Sequence, residues 1–117
     1  MSKKILIFGA TGSVGSSLAK LLKDSSMDAH LIGKNESEIS NLKDQTGFTC
    51  SIADVTDPNF LETIDKDLDG LEISGIAYCV GSIDLKPINL VSKKDYLKSF
   101  ELNLFPIVEI IKKFKDN

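Results

Sequence analysis

The chain has 117 residues, 42% of them hydrophobic and 26% charged, and its formal net charge is −3. This length predicts a single domain over residues 1–117 that buries a sizeable core. The negative charge argues against a nucleic acid or an anionic membrane as partner, and no apolar run approaches the roughly 20 residues of a membrane span. We expect a cytoplasmic protein without a signal peptide, in which Cys50 and Cys79 are buried, reduced thiols.

The first element is a predicted strand over residues 4–8, followed by a turn with three glycines and a predicted helix over residues 13–24. Glycine turns tightly and lets a ligand approach the backbone, and the start of a helix offers unpaired N–H groups and a positive dipole end. The context of strand, turn and amphipathic helix favours binding of a dinucleotide pyrophosphate over glycines that only permit close packing. The residues that this turn offers to the cofactor are Gly9, Thr11, Gly12, Ser13, Val14 and Gly15.

Strand and helix signals alternate along the rest of the chain. The predicted elements are a strand over 29–32, a helix over 37–44 with Gly47 as its C-cap, a strand over 48–52, a helix opened by Asp57-Pro58, a strand over 75–80, and a long helix from Ser92 to about Phe114. Ser92 and Asp95 resemble a capping box, and Pro106 should kink or divide the last helix. This order predicts an α/β fold: a doubly wound parallel sheet (Rossmann-like) with strand order 3-2-1-4.

Residues that follow the carboxyl ends of the later strands should meet in the same crevice. Gly33, Lys34 and Asn35 follow the second strand, where an acid would grip the ribose of NAD and a cation suits the 2′-phosphate of NADP. This favours NADP, with NAD less favoured; Glu36 could reverse the preference, and Lys34 could also be one more solvated lysine.

The third and fourth strands supply the rest of the predicted crevice. Asp54-Val55 follows the third strand, where the carboxylate could accept a hydrogen bond from adenine or simply start the next helix. Val80-Gly81 follows the fourth strand, where the glycine would let the backbone lie against the adenosine ribose. We expect the loop from Ser82 to Leu90 to border the substrate pocket.

The single histidine, His30, precedes the apolar core of the second strand. We expect it to be a surface or edge residue rather than a catalytic base. No nucleophile elbow accompanies it, and the sequence contains no cluster of metal ligands, so we predict neither a hydrolase triad nor a metal site.

Taken together, these motifs resemble the N-terminal half of the short-chain dehydrogenase/reductase family. The turn from Gly9 to Gly15 matches the cofactor loop of that family, Gly33-Lys34-Asn35 is similar to the Gly-Arg-Asn of members that use NADP, and Asp54-Val55 matches the acid motif on the adenine side. Tyr78-Cys79-Val80-Gly81 stands where many members of the family have Asn-Asn-Ala-Gly, and only the final glycine is the same. Glu101-Leu102-Asn103-Leu104-Phe105 is similar to the Val-Asn-Leu segment of the long helix.

The resemblance implies an oxidoreductase that acts on carbonyl or alcohol substrates. Asn103 would be the one member of the catalytic tetrad present, where it anchors a proton-relay water; equally, it could satisfy helix backbone near the kink. The Ser, Tyr and Lys of the tetrad lie further along in the family, and Tyr78 and Tyr96 do not replace the tyrosine. The sequence therefore predicts a truncated, catalytically inactive cofactor-binding portion.

Two other functions remain open at the level of sequence. One is a short nucleotide-sensing or interaction module without catalysis. The other, weaker one is a flavodoxin-like or receiver-like domain, although a receiver needs acids after the first strand, where this chain has Gly9-Ala10-Thr11. For a truncated domain we expect a homo-oligomer, formed through the last helix (92–114) or the edge of the fourth strand, because without further strands both would expose apolar surface or unpaired backbone.

Overall fold

The computed structural model describes residues 3–81 and 85–116. Strands and helices alternate through most of that range. The elements are β1 (Lys4–Phe8), α1 (Ser13–Asp24), β2 (Ala29–Gly33), α2 (Glu36–Thr46), β3 (Thr49–Ile52), α3 (Phe60–Leu68), β4 (Ile73–Tyr78), α4 (Lys93–Asn103) and α5 (Phe105–Phe114), with a short 3₁₀ turn at Ile88–Leu90 before α4.

The four strands form one parallel sheet in the order β3-β2-β1-β4. β1 lies at its centre, paired with β2 on one side and with β4 on the other. The predicted doubly wound α/β sheet and its strand order are confirmed, and β4 forms one edge of the sheet within the described residues.

The core consists of two apolar clusters, one on each face of the sheet. Consecutive side chains of a strand point to opposite faces, so Leu6 and Phe8 of β1 enter one cluster while Ile7 enters the other. Helices α3 and α5 cover the first face through residues such as Ile64 and Ile110. Helices α1 and α2 cover the second. Because both faces are covered, residues 5–8 of β1 form a continuous apolar run.

The boundaries of α2 and α3 differ from their predictions. Helix α2 begins at Glu36 rather than Ser37 and extends to Thr46, where Gly47 adopts the predicted left-handed C-cap with φ of 76°. The prediction that Asp57 and Pro58 start α3 is wrong. The Asp57 carboxylate instead accepts a hydrogen bond from the Asn59 N–H, and the helix starts at Phe60. β4 also begins and ends two residues earlier than predicted.

Pro106 divides the last helical segment, as predicted. α4 ends at Asn103, and α5 starts at Phe105 with the proline in its first turn, a position where the missing N–H costs nothing. The capping box of Ser92 and Asp95 is also confirmed. α5 buries Pro106, Ile110 and Phe114, whereas α4 buries none of its residues. Across residues 3–81 and 85–116, every helix is too short or too polar to span a membrane.

Candidate functional site

The glycine turn holds the end of β1 against the end of β4 and the start of α1. Gly9 has φ of +72°, and a Cβ added to it would lie 2.8 Å from the carbonyl carbon of Cys79. A Cβ on Gly15 would come within 2.9 Å of the Ala10 Cα and closer still to the Gly9 carbonyl oxygen. Both glycines are therefore required by close packing of backbone on backbone, so the packing interpretation of this turn holds at Gly9 and Gly15.

The same turn leaves the start of α1 without side-chain groups that would compete for an anion. Gly12 is the N-cap of α1, no side chain caps the helix, and no acidic residue lies in its first turn. The first N–H groups of a helix lack partners within the helix, and they form the positive end of its dipole. The turn is therefore suited to an anion such as phosphate, in addition to its role in packing.

A cavity of about 260 Å³ opens beside this turn, at the carboxyl ends of all four strands. Nine of the residues predicted to bind the cofactor line it: Gly9, Thr11, Gly12, Gly33, Lys34, Asp54, Val55, Val80 and Gly81. The structure thus brings together residues that lie up to about 70 positions apart in the chain. This convergence is what a parallel sheet produces at its carboxyl edge.

Four predicted residues do not line this cavity. Ser13, Val14 and Gly15 belong to the first turn of α1, and the Val14 side chain is 70% exposed. Asn35 is the N-cap of α2, where its side-chain oxygen accepts hydrogen bonds from the Glu38 N–H and the Ser37 hydroxyl. The structure therefore gives Asn35 a capping role.

The cavity wall also contains four residues that the sequence analysis missed: Ile32, Ala53, Cys79 and Leu102. Three of them directly precede predicted site residues at the ends of β2, β3 and β4, so the strand ends could have indicated them. Leu102 comes from α4, and no pattern in the sequence places α4 over the crevice.

A second cavity of about 560 Å³ lies next to the first, between α4 and the turn that follows β3. The two share Lys34, Asp54 and Leu102 in their walls. The α4 side of the larger cavity includes Lys98 and Ser99. Residues three and four apart share one face of a helix, so this face of α4 continues to Leu102 and the smaller cavity.

Asp54 is held as a carboxylate in the shared wall. The Thr56 N–H donates to its Oδ1 at 2.9 Å and the Thr56 hydroxyl donates to the same atom at 2.7 Å. These bonds, together with the positive charge of Lys34, lower the pKa of Asp54. Asp54 therefore presents a hydrogen-bond acceptor and Lys34 a cation at the same edge of the crevice.

Tyr78 connects the end of β4 to α4. Its hydroxyl donates to the Leu102 carbonyl oxygen at 2.6 Å, and burial raises its pKa to about 12. Next to this contact, the Asn103 side chain donates to the Ser99 hydroxyl, and its Oδ1 lies 3.3 Å from the position of a Cβ on Gly81. Tyr78 is thus a structural donor that stays protonated, and Asn103 faces the carboxyl end of β4.

The two cysteines are free, as expected, but both are only half-buried. Cys79 lines the smaller cavity, and partial burial raises the pKa of its thiol. The thiol is therefore a neutral part of the wall rather than a nucleophile. The loop expected to border the substrate pocket starts with Ser82, and residues 82–84 lie outside the described residues.

The prediction that His30 is a surface or edge residue is wrong. It is 1% exposed and lies at the amino-terminal half of β2, away from the crevice. Its Nε2 is 2.7 Å from the Ser51 hydroxyl, and that hydroxyl donates to Asp67 at 2.6 Å. Since the one Ser51 proton goes to Asp67, His30 must carry its own proton on Nε2.

The other ring nitrogen of His30 then accepts a hydrogen bond. Nδ1 is 2.7 Å from the Thr49 hydroxyl, which in turn accepts from the Lys4 ammonium at 3.1 Å. Lys4 is itself buried and lies 3.4 Å from Asp28. Burial, and then the charge of Lys4, lower the pKa of His30 to about 4. A neutral imidazole therefore lies in the middle of a hydrogen-bond chain from Lys4 to Asp67, in which each group donates to the next one along.

Comparison with known proteins agrees with this geometry. The family model described as the TrkA-N domain matches residues 5–68, more than half of the chain. No curated protein matches the sequence. The matched region contains β1 to α3 and, with them, the glycine turn and the ends of the first three strands.

Solved structures of dehydrogenases and reductases, among them a short-chain dehydrogenase/reductase, share the fold. The short-chain dehydrogenase/reductase is from Vibrio parahaemolyticus and is 24% identical, with a TM-score of 0.80 over 97% of this chain and 54% of that chain. The 3-oxoacyl-acyl-carrier-protein reductase of Brucella melitensis ATCC 23457 is 16% identical, with a TM-score of 0.82 over 97% of this chain and 46% of that chain. Serine dehydrogenase from Escherichia coli is 18% identical, with a TM-score of 0.80 over 95% and 53%. The chain spans about half the length of these proteins.

Proposed function

Because the chain belongs to the TrkA-N domain family, we propose that it binds NADP in the crevice at the carboxyl ends of its strands. The observation that carries this proposal is the cavity shared by all four strand ends and the glycine turn. The pyrophosphate would lie at the N-terminus of α1, and the adenosine between Asp54 and Gly81. Asp54 would accept a hydrogen bond from the adenine amino group.

The preference for NADP over NAD rests on Lys34. It is the residue after β2, where the ribose 2′-position of a dinucleotide lies in this kind of fold. Its ammonium has no ion pair among the described residues, so it is available to a phosphate. Glu36, the acid that could favour NAD, begins α2 and lines neither cavity.

The experiment that tests binding introduces a negative charge at the start of α1. Ser13→Asp should stabilise α1 through the helix dipole by about 0.3–1 kcal/mol. It should also repel the pyrophosphate and weaken NADPH binding in isothermal titration calorimetry by about tenfold or more. The matched control is Ser40→Asp on the exposed surface of α2. Undiminished NADPH binding by Ser13→Asp, or no binding by the unchanged protein, would refute the proposal.

We further propose that the chain is the nucleotide-binding portion of an oxidoreductase acting on a carbonyl or alcohol substrate. The support is the shared fold and the position of Asn103 beside Gly81, at the edge of the crevice. Asn103 would anchor a proton-relay water there. The free cysteines suit the reducing cytoplasm, where we place the protein.

We also propose that two copies associate through α4 and α5. These helices and the residue between them expose an apolar set, each member at least 43% exposed: Leu97, Phe100, Leu104, Phe105, Val108 and Ile111. The ring centroids of Phe100 and Phe105, two members of this set, lie 6.0 Å apart. Sedimentation velocity should show a dimer that Phe100→Asp converts to a monomer. A monomeric unchanged protein at high concentration would refute this.

A further inference from the structure

The smaller cavity does not have room for a whole dinucleotide. Pockets for drug-sized ligands have volumes of about 300–1,000 Å³, and this one has about 260 Å³. A ligand seated in it must therefore extend into adjoining space. The larger cavity of about 560 Å³ provides that space, and it opens past Lys34 and Asp54, at the adenosine end of the site.

Helix α4 contributes to the same cavity wall as Lys34. Lys98 lies on the face of α4 that lines the cavity, one helical turn before Leu102, which borders both cavities. The Lys98 ammonium, like that of Lys34, has no ion pair among the described residues. Lys86, the third lysine of this wall, is already paired with Asp95 at 3.1 Å.

The carboxylates of the same wall are unequally available to these lysines. Asp54 accepts two hydrogen bonds from Thr56, and Asp95 belongs to the capping box of α4. Glu101 is exposed and lines the cavity three residues after Lys98. Lys34 and Lys98 therefore line the same cavity without an ion pair among the described residues, and Glu101 is the acid there that works against an anion.

We propose that Lys98 is a second residue that selects NADP, binding the 2′-phosphate from α4 while Lys34 binds it from the end of β2. The inference rests on the proposed function and adds to it a specificity-determining residue on a different element. A phosphate dianion between two ammonium groups is bound by charge-assisted hydrogen bonds, which are about twice as strong as neutral ones. A cofactor without the 2′-phosphate gains nothing from Lys98.

The test compares the Kd values of NADPH and NADH for single variants by titration calorimetry. Lys98→Gln should raise the Kd of NADPH about tenfold and change the Kd of NADH by less than about twofold. Glu101→Gln should lower the Kd of NADPH and leave that of NADH unchanged. The control is Lys94→Gln, because Lys94 lies on the same helix but lines neither cavity. It should change neither Kd. Thermal denaturation of each variant verifies that the fold is intact.

The outcomes separate this inference from the proposed function. If the unchanged protein binds neither NADPH nor NADH, the proposed function and the role of Lys98 are both refuted. If it binds NADPH and Lys98→Gln leaves that Kd unchanged, or weakens NADPH and NADH equally, the role of Lys98 is refuted and the proposed function stands. Selective loss of NADPH binding in Lys98→Gln, absent in Lys94→Gln, supports both.

Discussion

Lowering the pH should destabilise this protein well above the range in which its carboxylates titrate, because of His30. In the folded state its pKa is about 4, against 6.5 for a free histidine. The unfolded chain therefore binds a proton that the folded chain does not. The stability gained by keeping His30 neutral is fully present above pH 6.5 and is lost progressively as the pH falls toward 4.

The size of the effect follows from the two pKa values. Each tenfold difference in proton affinity is equivalent to about 1.4 kcal/mol, so the full cost below pH 4 is about 3 kcal/mol. Between pH 7 and pH 5 the free energy of unfolding should fall by about 2 kcal/mol from His30 alone. A domain of this size is stabilised by about 5–15 kcal/mol in total, so this loss is readily measurable.

The assay is urea denaturation at pH 7 and at pH 5, for the unchanged protein and for His30→Gln. Glutamine does not titrate, so the variant should lose about 2 kcal/mol less than the unchanged protein over this interval, whatever its stability at pH 7. The same loss in both proteins would show that His30 does not titrate as its buried position requires, and it would refute the directed chain from Lys4 to Asp67.

Three further substitutions probe single contacts, each by urea denaturation at pH 7. Gly47→Ala should cost about 1–2 kcal/mol because φ is +76° there, although nothing lies within 4 Å of the new Cβ; no loss would contradict a left-handed C-cap. Asn35→Ala should cost about 1 kcal/mol by uncapping α2, whereas an unchanged midpoint would contradict the cap. Tyr78→Phe should cost about 1 kcal/mol by removing the bond to the Leu102 carbonyl, and a neutral result would show that water replaces it.

The sequence predicts the fold and most of the cavity wall because the necessary signals are local. A strand followed by Gly9 and a helix, or by Gly33-Lys34, is recognisable within a few residues, and parallel pairing then brings the strand ends together. Pro106 divides its helix for an equally local reason, because proline lacks a backbone N–H and its ring clashes with a carbonyl group of the preceding helical turn. Nine predicted residues in one cavity follow from these rules alone.

The wrong prediction for His30 and the missed residue Leu102 have the opposite origin, because both depend on contacts between residues far apart in the sequence. His30 is buried by partners that lie 19 residues away at Thr49 and 21 residues away at Ser51, and no window of sequence contains them together. Leu102 lies at the crevice, where the hydroxyl of Tyr78, 24 positions earlier in the chain, donates to its carbonyl oxygen. The prediction for Asp57 is wrong for a local reason. An aspartate carboxylate can cap a helix or accept a hydrogen bond from the N–H two residues later in a turn, and here the turn prevails.

Helix α4 lines both cavities although it buries none of its own residues. Its packing partner is α5, and the Tyr78 hydroxyl fixes its end beside the crevice. Such a helix opens at low free energy, so its amides should exchange with solvent deuterium sooner than those of β1. A ligand that fills the crevice restricts the opening of α4. Part of its binding free energy offsets the conformational entropy that α4 loses, and the exchange of the α4 amides slows. Slower exchange of the α4 amides after addition of a ligand would thus show that the crevice is occupied, although α4 is distant in sequence from the glycine turn.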